Sequence, residues 1–222
     1  MSAPVRWQWL GRCAYDEALA IQEARWCARR AGGSDVCLAV EHPPTVTLGK
    51  RATSAELRVD TAELDARGVA CVQVERGGYA TYHGPGQLVL YPIVALTPRG
   101  FGVGSFVATL ETIMLEIAAA FGVRATRNPR GRGIWTARGK LGAVGIRVRD
   151  GISTHGLALN VSDDVTGFDL ITPCGMRDVA VTTLAAEGAA VSLADVLPVA
   201  RTIACARLAA PAAAEYAMEA SA

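Results

Sequence analysis

Cys174 is the residue of this chain whose surroundings best suit covalent chemistry. It lies in the segment Ile171-Thr172-Pro173-Cys174-Gly175-Met176, where proline restrains the backbone and glycine leaves space beside the sulfur. A thiol acts as a nucleophile when a neighbouring base or positive charge raises its thiolate fraction. The alternative interpretation is an inert loop cysteine, because isolated cysteines are seldom catalytic.

Three side chains elsewhere in the sequence could activate this thiol. Lys140 begins a strand-like run of small and apolar residues, whereas His83 and His155 each stand among glycines and hydrogen-bonding side chains. The chain has only two lysines against 20 arginines. A lysine in such a chain indicates a task that requires an amine able to lose its proton, which arginine does not do. The residues alone leave open which of the three is the partner.

A glycine-rich bend from Arg76 to Gln87 is the densest cluster of ligand-binding residue types. Its four glycines permit positive φ and let backbone N–H groups approach a ligand closely. An ordinary hairpin turn is the alternative. The bend also carries several hydrogen-bonding side chains, which favour a binding role: Arg76, Thr81, Tyr82, His83 and Gln87.

Two later segments, 141–146 and 153–158, alternate small residues with apolar ones. Small residues in a strand leave a groove that can accept either an alkyl chain or a neighbouring helix. The five arginines between positions 124 and 138 form the densest positive segment. That segment is either a solvated loop or a docking patch for an acidic protein.

Length and composition predict one globular domain over residues 1–222, with a core of about 15–208 and a frayed tail at 211–222. A net charge of +1 gives no general reason to expect nucleic acid. No run of 18 apolar residues and no signal-peptide pattern occurs, so we expect a cytoplasmic protein without a membrane span. The six cysteines lack a C-x-x-C pair and the three histidines are far apart in sequence, which predicts neither a metal site nor a disulfide framework.

The helices and strands that must position these residues do not follow a regular strand-helix-strand alternation. Predicted helices are 15–31, 62–67 with Thr61 as the N-cap, 105–121, and 192–208 with an interruption near Pro198. Predicted strands are 36–40, 45–48, 69–75, 88–94, 133–136, 141–149 and 153–161, the last two joined by an Asp-Gly turn. Helices inserted between antiparallel hairpins indicate an α/β fold of the α+β type, with a mixed, mostly antiparallel sheet flanked by helices.

The chain resembles the lipoyl (octanoyl) transferases, which move an octanoyl group from acyl carrier protein to a lysine of a lipoyl domain. The resemblance covers about 15–208, and the 34-residue step between the lysine and the cysteine suits the family's Cys/Lys dyad. The matching residues occur in the family's order: the bend 76–87, Tyr91-Pro92, Lys140, Gly145-Ile146, Thr154-His155-Gly156, Asn160 and Pro173-Cys174-Gly175.

This resemblance implies the fold of the biotin and lipoate protein ligase catalytic domains, with Cys174 as nucleophile and Lys140 as base. It also implies three substrate-binding segments, made up of Arg76, Gly77, Gly78, Tyr79, Ala80, Thr81, Tyr82 and His83, then Ala143, Val144 and Gly145, then Gly156, Leu157 and Ala158. Tyr79-Ala80 and Gly142 depart from the usual pattern, and we expect them to reshape the wall of the acyl pocket.

By the same resemblance the donor is octanoyl-acyl carrier protein. The acceptors are lipoyl domains of 2-oxoacid dehydrogenase complexes and the glycine cleavage H protein. A monomer is the default expectation, and we expect no cofactor or metal. Two alternatives remain from the residues: an ATP-dependent lipoate or biotin-type protein ligase, and a non-catalytic module that binds acyl carriers. The absence of a nucleotide signature and the presence of Cys174 favour the transferase over the ligase.

Overall fold

The computed structural model describes residues 3–129, 131–162, 165–172 and 179–209. Within these ranges the chain forms four α-helices: α1 (Tyr15–Arg30), α2 (Thr61–Ala66), α3 (Val103–Ala120) and α4 (Leu193–Ala209). The same ranges contain ten strands: β1 (Arg6–Arg12), β2 (Val36–Glu41), β3 (Thr45–Leu48), β4 (Ala70–Gln73), β5 (Ala80–His83), β6 (Gln87–Ile93), β7 (Thr126–Asn128), β8 (Gly131–Trp135), β9 (Lys140–Arg149) and β10 (Ile152–Asn160). Short 3-10 helices lie at Ser54–Glu56, Thr97–Arg99 and Val165–Leu170.

The strands form two sheets. The larger has the order β1-β2-β6-β10-β9-β8-β7, and the smaller has the order β4-β3-β5. Only the β1/β2 and β3/β4 pairs are parallel among the described strands. The predicted mixed, mostly antiparallel α/β architecture is therefore confirmed.

The larger sheet is covered on both faces. Helix α1 packs on one face, and α3 and α4 pack on the other. Side chains alternate between the faces along β6: Val89, Tyr91 and Ile93 belong to the α1 side, whereas Leu88 and Leu90 belong to the α3/α4 side. Both faces of β6 are thus withdrawn from water, and this is why its sequence is a continuous apolar run.

Helix α3 is long and apolar enough to cross a membrane by length and composition alone. In the fold, however, Phe106, Leu110 and Ile113 are fully buried in the core beneath β8, β9 and β10. The apolar stripe at intervals of three and four residues is thus the face of a core helix, as its periodicity predicts.

Most predicted elements occur within a few residues of their expected ends, and the predicted hairpin between β9 and β10 is confirmed. Its turn places Asp150 and Gly151 at φ 50° and 72°, the pair of positive values that a two-residue hairpin requires. Helix α4 runs through Pro198 without the predicted interruption. The N-cap of α2 is Asp60, not Thr61, because the Asp60 carboxylate accepts the Glu63 N–H at 2.8 Å.

Two larger differences concern strands. The ordered fold begins before residue 15, because β1 pairs in parallel with β2. The bend 76–87 is not one continuous bend: its middle is strand β5, which pairs antiparallel with β3. Both strands are defined by partners distant in sequence, so their own residues gave little local signal. Residues 210–222, including the tail predicted to fray, lie outside the described residues.

Candidate active site

A cavity of about 430 Å³ lies between the larger sheet and the smaller one. The bend and β5 form one wall, and the α1-facing side of β6, β9 and β10 forms the opposite wall. Its lining includes thirteen of the fourteen predicted substrate-binding residues, together with Lys140 and His155. Further lining residues are Tyr15, Arg51, Val89, Tyr91, Val107, Gly131, Arg132 and Ile146. The fold therefore brings the three predicted segments to one place.

Small residues from two neighbouring strands form a narrow groove in this cavity. Gly156 is paired with Gly145, and Ala158 with Ala143, across β10 and β9. The two glycines make room for neighbouring parts of the wall, since a Cβ on Gly145 would meet Arg76 Cδ at 3.1 Å and a Cβ on Gly156 would meet the Leu90 carbonyl oxygen at 2.1 Å. Beside them, the methyl groups of Ala143 and Ala158 line the cavity and give the groove a shallow apolar surface. Of the two sequence interpretations, an alkyl groove fits Ala143 and Ala158, which line the cavity, whereas helix packing fits Gly142, which faces Met114 of α3.

Arg76 holds the bend in place. Its guanidinium donates to the Tyr79 carbonyl at 2.9 Å, to the Gly77 carbonyl at 3.1 Å, and to the carbonyl and hydroxyl oxygens of Thr47 at 2.8 and 2.7 Å. The Gly77 N–H also donates to the Ile146 carbonyl at 2.9 Å, which attaches the bend to β9. Arg76 is 7% exposed, so these charge-assisted bonds lie in a largely dry setting and rigidify the wall.

Tyr82 is the predicted substrate-binding residue that does not line the cavity. It packs in the core of the smaller sheet, where a Cβ added to Gly167 would meet its ring at 2.2 Å. Residues of a strand alternate in direction, so Thr81 and His83 face the cavity while Tyr82 faces away. Gly142 also has a different role from the expected one, because a Cβ there would meet the sulfur of Met114 on α3 at 2.6 Å. Its small size lets α3 approach the sheet.

All three histidines of the chain, although far apart in sequence, meet beside the cavity. The ring of His42 lies 5.6 Å from that of His83 and 5.1 Å from that of Tyr15. The Tyr91 ring lies 5.9 Å from His42 and 6.3 Å from His155. His155 itself has φ 55°, an unusual left-handed conformation for a non-glycine residue, next to the groove.

Burial keeps these histidines uncharged near pH 7. It lowers the pKa of His83 to about 3 and that of His155 to about 4, with the nearby charge of Arg76 acting in the same direction. Burial also lowers the pKa of His42. Because neutral His42 donates from Nδ1 to a backbone carbonyl at 2.8 Å, its Nε2 accepts the Tyr91 hydroxyl at 2.8 Å. These residues form a rigid neutral wall behind the groove.

A chain of directed hydrogen bonds connects the bend with Lys140. His83 Nδ1 donates to Gln87 Oε1 at 2.7 Å, and Gln87 Nε2 donates to Asn160 Oδ1 at 2.9 Å. Asn160 Nδ2 donates to the Thr182 carbonyl at 3.0 Å, and the Thr182 N–H donates to the Lys140 carbonyl at 3.0 Å. His83, Gln87, Asn160 and Thr182 are all at most 5% exposed. The network fixes the start of β9 relative to the cavity wall.

Lys140 is buried beside the groove, with its Nζ 5.3 Å from the centre of the Trp135 ring. Its backbone N–H donates to the Ala180 carbonyl at 2.8 Å. Cys174, the predicted nucleophile, lies outside the described residues. The described residues on either side of segment 173–178 nevertheless reach Lys140, because Phe168 and Val181 line a second, small cavity together with it.

This arrangement of fold, groove and buried lysine agrees with a comparison of sequence families. The family model of the lipoyl protein ligase A/B catalytic domain matches residues 14–202. The chain belongs to the lipoyl protein ligase A/B catalytic domain family.

Relatives within this family are similar over most of their length. The chain is 46% identical over 183 residues to an octanoyltransferase of Desulfotalea psychrophila, covering 80% of this chain and 82% of that protein. It is 46% identical over 194 residues to an octanoyltransferase of Chloroflexus aurantiacus, covering 85% and 86%. A mitochondrial octanoyltransferase of Arabidopsis thaliana is 43% identical over 180 residues, covering 80% and 77%.

Solved structures of lipoate and biotin protein ligases share the fold at low sequence identity. A bi-partite lipoate protein ligase from Thermoplasma acidophilum superposes with a TM-score of 0.75 at 15% identity, covering 93% of this chain and 84% of that one. A biotin protein ligase from Aquifex aeolicus gives a TM-score of 0.54 at 14% identity, covering 91% and 70%. The predicted similarity to ligase catalytic domains is thereby confirmed for the fold.

Several lining residues of this family member escaped sequence reasoning. Tyr15 and Arg51 lie far from the bend in sequence, at the start of α1 and after β3, and carry no motif of their own. The arginine-rich segment divides in the structure. Arg127 forms an ion pair with Glu111 of α3 at 3.3 Å, Arg132 lines the cavity, and Arg130 lies outside the described residues.

Proposed function

We propose that this chain moves an octanoyl group from octanoyl-acyl carrier protein to a lysine of a lipoyl domain, through a thioester on Cys174 and with Lys140 as base. Octanoyl transfer in lipoate biosynthesis is the activity that the octanoyltransferase relatives support, at 43–46% identity over most of the chain. The observation that carries the proposal is the groove of small residues adjacent to a buried lysine.

The proposed reaction has two balanced steps. In the first, the Cys174 sulfur attacks the thioester carbonyl and its proton passes to Lys140. The carrier's sulfur then leaves and takes this proton from Lys140. In the second, the acceptor amine attacks the carbonyl and the C–N bond forms as the C–S bond to Cys174 breaks. Lys140 accepts the proton of the attacking amine and passes it to the sulfur of Cys174, which is restored as a thiol.

The position of Lys140 supports its role as base. It is 5% exposed and begins β9, so its amine lies at the edge of the acyl groove and away from bulk water. The backbone bonds between Lys140 and residues 180 and 182 hold the chain that follows segment 173–178 against this strand. The chain before that segment is held through the Thr172 N–H, which donates to the Glu56 carbonyl at 2.7 Å.

The groove itself supports an acyl substrate. The methyl groups of Ala143 and Ala158 give the groove an apolar surface that can accept methylenes, next to the glycines of the same strands. Each buried methylene contributes about 0.8 kcal/mol. The proposed partners are acyl carrier protein as donor and, as acceptors, lipoyl domains of 2-oxoacid dehydrogenase complexes and the glycine cleavage H protein. The enzyme acts in the cytoplasm as a monomer and uses no cofactor.

Acyl-enzyme trapping tests the nucleophile. The enzyme is incubated with octanoyl-acyl carrier protein without acceptor, and peptide mass spectrometry should find a hydroxylamine-sensitive octanoyl group on Cys174. Cys174→Ala should lose both the adduct and turnover, whereas Cys27→Ala, which removes an exposed thiol of α1, should keep both. Accumulation of the adduct in Cys174→Ala would assign the nucleophile elsewhere.

A second assay separates the transferase from the two alternative functions. Supplied with ATP, free octanoate and a lipoyl domain, the chain should give no product, because the proposed chemistry starts from a thioester. Product formation there would indicate a ligase. Acylation of many lipoyl domains per enzyme molecule from octanoyl-acyl carrier protein would exclude a non-catalytic binding module.

A further inference from the structure

The cavity that holds the groove has a one-sided charge distribution. Its lining includes Arg51, Arg76, Arg132 and Lys140, and none of its described lining residues is an aspartate or a glutamate. A saturated acyl chain has no charge to match these side chains. A basic side chain that finds no partner in the cavity wall can therefore be matched only by an anionic part of a molecule that enters the cavity.

Two of the four basic side chains are exposed, so they mark where the cavity opens to solvent, which we call its mouth. Arg76 and Lys140 are buried, and Arg76 donates to four oxygens of the wall. Arg51 and Arg132 are exposed, and neither forms an ion pair with another described residue. These two guanidinium groups are thus available to an incoming anion.

Arg51 is also held in position before any ligand arrives. Its backbone N–H donates to the Gly78 carbonyl at 3.1 Å, and its guanidinium carbon lies 4.8 Å from the centre of the Tyr79 ring. A cation stacked on an aromatic ring loses less conformational freedom when it binds an anion. Arg132 lies in β8, the strand that pairs with the groove-forming strand β9.

The two macromolecular substrates of the proposed function differ in the charge that they present to this mouth. The acceptor offers a lysine, whose positive charge two arginines would repel. The donor offers its acyl chain through a phosphopantetheine arm, which carries a phosphodiester between the thioester and the carrier protein. Guanidinium groups bind phosphate oxygens with paired, charge-assisted hydrogen bonds.

We propose that Arg51 and Arg132 bind the phosphate of the donor's phosphopantetheine arm at the mouth of the cavity. This inference rests on the proposed function, since that function supplies the thioester donor. It assigns the two exposed arginines to donor recognition, with the acyl chain in the groove and the arm leaving past Tyr79. The phosphate contact sets the depth at which the thioester carbonyl stops beside Lys140.

Binding measurements without turnover test this site. Titration calorimetry compares octanoyl-pantetheine, which lacks phosphate, with octanoyl-4′-phosphopantetheine, using Cys174→Ala enzyme to prevent transfer. The phosphorylated ligand should bind the parent more tightly by about fivefold or more, the lower range for charge-assisted bonds at an exposed site. Arg51→Gln and Arg132→Gln should each reduce this preference, and the double variant should abolish it. Arg124→Gln, an exposed arginine outside the cavity lining, should keep it.

Three results would overturn the assignment. An equal affinity of the parent for both ligands would mean that no phosphate is recognised. An equal loss of affinity for both ligands in the variants would mean that the arginines only support the wall. The double variant could also keep the preference for the phosphorylated ligand while its KM for octanoyl-acyl carrier protein rises. The two arginines would then bind carboxylates on the surface of the carrier protein instead of the phosphate. If no octanoyl donor is turned over while phosphate preference persists, the proposed function fails and the anion site stands.

Discussion

Replacing Asn160 with leucine should show what the hydrogen-bond network between His83 and Lys140 contributes to stability and to catalysis. Asn160→Leu removes the bonds that join Asn160 to Gln87 at 2.9 Å and to the Thr182 carbonyl at 3.0 Å. Two buried polar groups then lose a partner, at roughly 1–3 kcal/mol each, so the free energy of unfolding should fall by about 2–6 kcal/mol. For a domain of this size that corresponds to a decrease in Tm of roughly 5–20 °C.

The same variant should slow catalysis more than it weakens donor binding. Thr182 is bonded both to Asn160 and to the backbone of Lys140, whereas the groove residues of the same two strands, such as Ala143 and Ala158, take no part in this network. We therefore expect kcat for transfer from octanoyl-acyl carrier protein to fall by about tenfold, a loss of about 1.4 kcal/mol in barrier lowering, while KM for the donor changes little. The assay is run at least 15 °C below the measured Tm of the variant.

A double-mutant cycle with Gln87→Leu tests whether the two amides act as a unit. Each single variant removes the bond between them, so the sum of the two losses counts it twice, and the double variant should lose about 1 kcal/mol less than that sum. Thr109→Val, which removes one partly buried bond within α3, serves as the control and should leave kcat unchanged. Losses that add within about 0.3 kcal/mol, or a normal kcat in Asn160→Leu, would refute the reasoning.

Three further predictions follow from single side chains. Lys140→Arg should lower kcat in the transfer assay by about 100-fold or more, because arginine keeps the positive charge but cannot accept a proton. The control Lys50→Arg, at an exposed ion pair, should leave kcat normal in the same assay. Gly156→Ala should lower the free energy of unfolding, measured in urea melts, by roughly 2–4 kcal/mol, because the new Cβ would meet a carbonyl oxygen of β6 at 2.1 Å. The control Gly104→Ala, which has open space around it, should not destabilise the protein in the same melts. The free energy of unfolding should also fall between pH 6.5 and 4, by up to about 1.4 kcal/mol per pH unit for each buried histidine, because the unfolded chain binds protons that the folded one excludes. His83→Gln should flatten this slope, and an unchanged slope would contradict the assignment of its lowered pKa.

Local patterns were sufficient for most of the fold. The spacing of Phe106, Leu110 and Ile113 predicts α3, and the Asp150-Gly151 pair predicts the hairpin that joins β9 to β10, because both features depend on residues close in sequence. The N-cap of α2 was misplaced by one residue. Both Asp60 and Thr61 can cap a helix, and the backbone geometry selects between them.

Long-range pairing decided what local patterns could not. Strand β5 is a strand because β3 lies beside it, and its alternation turns Tyr82 away from the cavity while Thr81 faces it. The same holds for the histidines, whose wide separation in sequence concealed that they meet in one buried cluster. No local sequence pattern predicts contacts between residues that are so far apart in the chain.

The sequence by itself determined the residue types of the site: a cysteine between proline and glycine, a lysine in an arginine-dominated chain, and small residues at alternate strand positions. These residue types can be read from the sequence because the chemistry and size of a side chain do not depend on where the fold places it. Only the tertiary structure decided that Ala143, Gly145, Gly156 and Ala158 form one groove and that Arg51 stands at its mouth. Proximity between distant segments arises from the pairing of strands and the packing of sheets, so it exists only in the folded chain.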